Sequence, residues 1–183
     1  LQRYGISCRK SLGQNFLIDN NIINKIIASA ELDPTDLVVE IGPGLGALTA
    51  RAAGSAGAVL AVELDRGLLP VLAETLEGAG NVQVIQADAM DMDYDRMAAE
   101  KTAGVFGKGG RPYKLLGNLP YYITSPLLMH LLFGRFNFSL LVIMIQQEVA
   151  ARLTAAPGSK DYGSLSVAVQ YFTEPRYLFR VPR

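Results

Sequence analysis

A doubly wound α/β fold, a mostly parallel sheet with helices on both faces, is predicted by three features of this sequence. Five short runs are mostly apolar: Leu37 to Ile41, Val59 to Asp65, Val82 to Ala87, Tyr113 to Gly117 and Phe138 to Ile145. Strands buried on both faces of a parallel sheet have this character. Between them lie stretches with apolar residues at helical spacing, so strands and helices alternate. The first four runs each end in glycine, acid or amide residues, at the strand ends where such sheets bind ligands.

Taken in order, residues 1–13 carry Arg3, Arg9 and Lys10 with little apolar periodicity. They read as a flexible basic arm, either a frayed soluble end or a segment that touches phosphate. Asp19 is placed to cap a helix whose apolar face is Ile22, Ile23, Ile26, Ile27 and Ala30. Pro34 lies in the connection to the first strand. After the second strand, Leu68, Leu69, Leu72 and Leu76 recur at helical spacing until Gly78 and Gly80 stop the helix. The region from Asp91 to Gly110 has no clean period and predicts a helix giving way to a mobile, glycine-rich loop at Gly104 to Gly110. Beyond the fourth strand, Thr124 or Ser125 near an N-cap and Pro126 in the first turn open a helix that buries Leu127, Leu128, Leu131 and Leu132. His130 sits among these leucines as a partly buried residue with no partner for chemistry. Phe138 to Ile145 is so apolar that it predicts a central strand. Gln146 to Arg152 begins another helix, Ala155 to Lys160 is a turn, and Ser164 to Phe172 alternates like a strand.

The first strand runs into Gly42-Pro43-Gly44-Leu45-Gly46 and then a helical stretch. Glycines there let the chain turn sharply and bring a ligand against bare backbone. Glu63, near the end of the second strand, lies ~20 residues beyond the turn, where a nucleotide ribose would present its hydroxyls. Nicotinamide dinucleotides and S-adenosylmethionine both fit so far. Pro43 removes a donor from the loop, and Gly-x-Gly-x-Gly is not the Gly-x-Gly-x-x-Gly that seats a pyrophosphate. The turn therefore leans towards a cofactor without phosphates. Asp88, after the third strand, suits an exocyclic amine such as that of adenine.

The fourth strand ends in Asn118-Leu119-Pro120-Tyr121. Asn118 offers an amide oxygen, Leu119 a carbonyl held by the rigid Pro120, and Tyr121 an aromatic face. Adenine N6 is a poor nucleophile because its lone pair is delocalised into the ring. Two acceptors on its hydrogens favour the pyramidal, nucleophilic form, while the tyrosine stacks the base and fixes its approach to a sulfonium methyl group. The alternative is an ordinary turn with a packing tyrosine.

The 183 residues are half hydrophobic with zero formal net charge, which suits one globular domain spanning 1–183 and gives no bulk signal for nucleic acid. Cys8 is the one cysteine and His130 the one histidine, so neither a disulfide framework nor a zinc cluster is expected, and no residue is assigned to a metal. No apolar run approaches the ~20 residues that span a bilayer, and there is no signal-peptide core. A cytoplasmic protein with no membrane association, acting as a monomer, is the expectation. The final Val181-Pro182-Arg183 lacks a terminal helix, as a fragment would.

Five stretches resemble the ribosomal small-subunit adenine dimethyltransferase family, which is related to the erythromycin-resistance methylases of large-subunit rRNA. They are Gly13-Gln14-Asn15-Phe16-Leu17, Glu40 to Gly46, Asn118 to Tyr121, Gln147 to Leu153 and Tyr162 to Val167. The resemblance implies the Rossmann-like sheet of class I methyltransferases. It also implies N6-dimethylation of adenosines near the 3′ end of small-subunit rRNA, in a pre-ribosomal particle, with S-adenosylhomocysteine as the product. Asn15, Leu17, Gly42, Glu63, Asp88 and Asn118 would contact the cofactor, Glu63 on the ribose and Asp88 on the adenine amine. Gln14, Gly44, Leu64 and Ala89 fall in the same site. Asn118, Leu119, Pro120 and Tyr121 would serve the target base. Tyr162 to Val167 and the helix of Leu127 to Leu132 look more like the small-subunit branch than the resistance branch. The family continues past Val181-Pro182 into a small helical domain that grips RNA, absent here, and the glycine loop is longer than the family needs. A large-subunit methylase, a cofactor-binding assembly factor and a nicotinamide oxidoreductase are the competing readings.

Overall fold

In a computed structural model of the chain, residues 16–181 are described. The basic arm, Cys8, Gln14 and Asn15 lie outside them. Five strands, β1 (Leu37–Ile41), β2 (Ala58–Glu63), β3 (Val82–Gln86), β4 (Tyr113–Asn118) and β5 (Phe138–Met144), form one sheet in the order β3-β2-β1-β4-β5. Every pairing is parallel. The chain walks outward from β1 to β3 and then returns to lay β4 against the other side of β1. That reversal opens a crevice at the carboxyl ends of β1 and β4, the place where doubly wound sheets hold ligands.

Helices cover both faces, as parallel crossovers require. On one face Val39, Ile41, Val62 and Leu115 pack against Met97 and Ala98 of α4 (Tyr94–Lys101) and Leu127 and Leu131 of α5 (Thr124–Phe133). On the other, Val38, Val59, Leu116 and Val142 meet α1 (Asn20–Ala30) and α2 (Ala47–Ala53). Asp19 caps α1, accepting from the amides of Asn21 at 2.8 Å and Ile22 at 3.4 Å. Ile22, Ile23, Ile26 and Ala30 are its buried face, so a cap and an apolar stripe together account for this helix. One turn of 3-10 helix (Arg66–Leu68) leads into α3 (Leu69–Thr75). Thr124 does not cap α5; it is buried, and its hydroxyl donates to the Pro120 carbonyl at 3.0 Å.

Three expectations are corrected. β5 is an edge strand, not a central one. Its two faces are nonetheless covered, Leu141 and Ile143 by the α4 and α5 side and Leu140 and Met144 by the α1 side. Hydropathy reports facial cover and is blind to whether a ladder continues sideways. Ser164–Phe172 is a helix, α7, rather than a strand. Leu165, Val169 and Phe172 line one face against Leu128 and Leu132 of α5 and Leu153 of α6 (Gln147–Leu153). Two polar residues on α7 decide the matter. Ser166 donates to the Arg152 carbonyl at 2.6 Å, and Gln170 Nε2 donates to the carbonyls of Leu153 and Ala155 at 3.0 and 2.8 Å, satisfying the end of α6.

The glycine-rich loop, expected to be mobile, is closed on itself. Arg111 N donates to the Val105 carbonyl at 2.8 Å and Gly107 N to the Arg111 carbonyl at 3.1 Å. Asn137 Nδ2 donates to the carbonyls of Gly107 and Gly110 at 2.7 and 3.2 Å. Gly107 has a φ of +101°, and a Cβ there would collide with the Asp95 carbonyl, so glycine serves tight closure rather than freedom.

Candidate cofactor and substrate site

The ends of β1 to β4 border a single cleft of about 960 Å³, its open mouth included. Of the residues expected from sequence, Leu17, Gly42, Gly44, Glu63, Leu64, Asp88, Ala89, Asn118, Leu119 and Pro120 all line it. Segments remote in sequence are therefore brought together by the sheet, which sets their strand ends side by side.

The glycine turn is the floor. Gly42, Gly44 and Gly46 have φ of +70°, +59° and +82°, a region that side-chain-bearing residues rarely adopt. A Cβ at Gly44 would stand 3.0 Å from the Phe16 ring, so bare backbone faces the cleft there. A Cβ at Gly42 would lie 3.9 Å from the Asn118 carbonyl. The turns after β1 and β4 thus abut across the crevice.

Glu63, the last residue of β2, is buried. Its Oε1 accepts from Asp65 N at 2.8 Å, and Oε2 accepts the longer bond from Gly44 N at 3.3 Å. Burial pushes this carboxyl up from its ordinary range, and the two backbone donors offset part of that shift. Asp88 shapes the turn after β3: its Oδ1 accepts from Met90 N at 2.8 Å. Leu64, Leu68 and Ala89 add apolar wall beside these two acids, a setting for a flat ring with polar edges.

Asn118 ends β4, and the turn after it is held by its own backbone. Leu119 N donates to the Met144 carbonyl at 3.1 Å, and Ile123 N to the Pro120 carbonyl at 3.2 Å. Tyr121, expected to stack the target base, is 51% exposed and lies outside the cleft's wall, which Phe16 and Tyr122 line instead.

The sequence reading missed Glu40. It is 1% exposed, lines the cleft, and its Oε2 has no hydrogen-bond partner. Burial raises its carboxyl to about 7; the nearby Thr49 hydroxyl lowers it somewhat and the charge of Glu63 raises it further. Thr49 Oγ1 is also buried and has no partner other than this carboxyl. Two buried polar groups with no partner but each other behind the glycine turn are unusual in a folded core and suit a site that a polar ligand completes. A lone acid inside the apolar run Leu37 to Ile41 was the available signal. Phe16, Tyr122 and Ile123 are among the other cleft residues passed over. Among the described residues, no group of three His, Cys, Asp or Glu side chains is arranged to hold a metal ion. No helix among them is long and apolar enough to cross a membrane.

Residues 5–183 match the family described as ribosomal RNA adenine dimethylase. A "Ribosomal RNA small subunit methyltransferase A" of Pelotomaculum thermopropionicum is 73% identical over 183 residues, covering 100% of this chain and 62% of that protein. The chain spans about three fifths of the length of the curated relatives it matches. Among solved structures, a dimethyladenosine transferase from Plasmodium falciparum superposes with a TM-score of 0.71 at 28% identity, over 85% of this chain and 52% of that one. The 23S rRNA methyltransferase ErmE superposes at 0.64 with 31% identity, over 79% of this chain and 53% of its own.

Proposed function

The chain belongs to the ribosomal RNA adenine dimethylase family, and on that premise we propose that it is the catalytic part of an S-adenosylmethionine-dependent methyltransferase. Its substrate would be small-subunit rRNA in a pre-ribosomal particle, dimethylated at N6 of adenosines near the 3′ end. Residues 1–183 would form the methyltransferase domain, with residues 1–13 as a basic arm, and the protein would act as a cytoplasmic monomer. The observation that carries the reading is the abutment of the Gly42 and Asn118 turns at one cleft that Glu63 and Asp88 also line.

The residues present fit the cofactor. Glu63 would accept from the ribose hydroxyls, exchanging its long bond to Gly44 for a shorter one. Asp88 would accept from the adenine amine, with Leu64 and Ala89 against the ring. Glu40 would supply an acceptor beside the glycine turn that only Thr49 meets, suited to a cationic amino group. Leu17 closes the wall, and Gln14 and Asn15 precede it in sequence. When bound, the cofactor supplies a sulfonium methyl group that is already activated for displacement.

Catalysis would then be positioning. Asn118 and the Leu119 carbonyl accept the N6 hydrogens, so the lone pair turns from the ring towards the methyl group. Pro120 fixes that carbonyl. Tyr121, exposed at the rim, is placed to meet a base leaving its helix rather than one already seated. Each transfer would form an N–C bond at N6, break the S–C bond that the cofactor supplies and release one proton from N6 to solvent. The test is labelled-methyl transfer to small subunits lacking the modification, followed by nucleoside analysis. Label in N6,N6-dimethyladenosine of the small-subunit RNA is expected. Label confined to large-subunit RNA, or tighter binding of NADH than of S-adenosylhomocysteine, would overturn the reading.

A further inference from the structure

The loop between β3 and α4, Asp88 to Asp93, is fastened at several points. Asp88 Oδ1 accepts from Met90 N at 2.8 Å, Tyr94 OH donates to the Ala89 carbonyl at 2.9 Å, and Asp93 caps α4 through Arg96 N at 3.0 Å. These fastenings are internal to the loop and its own helix. Another comes from outside: His130 Nε2, on α5, lies 3.0 Å from the Met92 carbonyl. A carbonyl only accepts, so Nε2 is the donating nitrogen. The imidazole is itself held in a cluster of three rings, with centroids 6.1 Å from Tyr94 and 5.5 Å from Phe136, while Tyr94 and Phe136 stand 5.4 Å apart edge to face. Tyr94 is fully buried, and burial pushes its phenol up, so it stays a neutral donor to Ala89. The helix that carries His130 begins directly after the Asn118 to Tyr122 turn.

We propose that His130 is a positioning residue for the adenine end of the cofactor, a strut from α5 that holds the Asp88 to Asp93 loop against the cleft. The proposal rests on the reading of Asp88 as the acceptor for the adenine amine. A carboxylate discriminates between an amine and a carbonyl on the ring edge only if the loop keeps it in place, because a displaced acceptor forfeits the bond that the amine alone can make. The strut also ties that loop to the helix following the target-base turn, so the two halves of the cleft share one support.

The experiment compares binding of S-adenosylhomocysteine and of S-inosylhomocysteine, in which a carbonyl replaces the exocyclic amine, by calorimetry. The wild-type chain is expected to prefer the adenosyl ligand by about tenfold or more. H130F keeps a ring but has no donor. It should weaken the adenosyl ligand about fivefold and leave the inosyl ligand within about twofold, the loss of roughly one neutral hydrogen bond's positioning. H130Q, whose amide nitrogen reaches the place of Nε2, should recover the preference. H130N adds no bulk and falls short of Met92; it should behave as H130F does, and it serves if the phenylalanine variant does not fold. Amide exchange at Met90 and Asp91 should quicken in the deficient variants while β4 amides stay protected. If the wild type binds both ligands alike, the assignment of Asp88 fails and the proposal falls with it. If the wild type discriminates and H130F and H130N discriminate equally well, the proposal alone is overturned. Equal loss of both ligands with no recovery in H130Q also overturns it, since that is what general destabilisation does.

Discussion

The two ends of this sheet bury acids in opposite ways. At the amino end, Asp95 is 7% exposed and held by two donors on one oxygen: Oδ1 accepts from the Tyr113 hydroxyl at 2.9 Å and from Asn137 N at 2.8 Å. Close by, Lys114 Nζ meets Asp36 at 2.8 Å and the Glu31 carbonyl at 2.6 Å. At the carboxyl end, Glu40 is more deeply buried, yet one of its oxygens and the Thr49 hydroxyl have no partner but each other. Left-handed glycines cluster there beside them. A satisfied buried acid secures a fold, whereas an unsatisfied one costs stability that the protein alone does not recover. The amino end is therefore finished structure, and the carboxyl end is shaped for something else to complete.

The sharpest break of that contrast lies in Asn118. In a protein extended to the full length of its relatives, N118A should lower the rate of methyl transfer about 10²-fold or more, as removing one aligned hydrogen-bonding group does elsewhere. Affinity for S-adenosylhomocysteine should stay within about threefold, because ribose and adenine contacts are untouched. Equal loss of binding and turnover would move Asn118 from the chemistry to the cofactor. D95A makes the opposite cut. It strands the buried Tyr113 hydroxyl and the Asn137 amide, so unfolding in urea should show a loss of about 3–4 kcal/mol, with cofactor affinity unchanged in the folded fraction. A loss below about 1 kcal/mol would mean the amino end is no firmer than a surface.

Most of this division was legible in the chain itself. The strand runs, the acid or amide ending each, and the glycine turn between β1 and α2 are local patterns, and parallel topology converts them into one rim. What escaped has a common cause. β5 and α7 were misread because hydropathy says that a face is covered without saying by what; Ser166 and Gln170 reveal α7 as a helix only once the end of α6 is in place. The glycine loop tells the same story, since Asn137 closes it from 27 residues away along the chain. Glu40 hid inside a strand pattern that the eye completes as apolar. Gln14 and Asn15 lie outside the described residues.

Glu40 gives a pH test of the same comparison. Below pH ~4.5 its carboxyl is protonated in both folded and unfolded chains. As pH rises from there to about 7, the unfolded chain releases the proton and the fold retains it, so stability is lost through that window, by roughly 3 kcal/mol at most. Glu63 shifts in the same direction because of burial. Denaturation of the ligand-free protein should therefore show falling stability from pH 4.5 to 7, and E40Q, which has no proton to lose, should flatten most of the slope. An unchanged slope in E40Q would mean the orphaned carboxyl is not the one that titrates.

The smallest effect separates Glu63 from Glu40 within the rim. Glu63 has both oxygens engaged by backbone donors, one tightly and one at 3.3 Å, so in the ligand-free protein it is nearly as settled as Asp95. Its part in binding would then be a trade, the weak Gly44 bond given up for ribose hydroxyls. A trade returns less than a new bond. E63A should raise the dissociation constant of S-adenosylhomocysteine by about 1–2 kcal/mol, while 2′,3′-dideoxy S-adenosylhomocysteine, which cannot make that contact, should bind wild type and variant alike. The comparison of the two ligands removes any loss caused by a loosened Gly44 turn, since such loosening would weaken both. If the dideoxy ligand loses as much as the native one, Glu63 acts by holding the glycine floor in shape, and it would then belong with Asp95 among the groups that finish the fold.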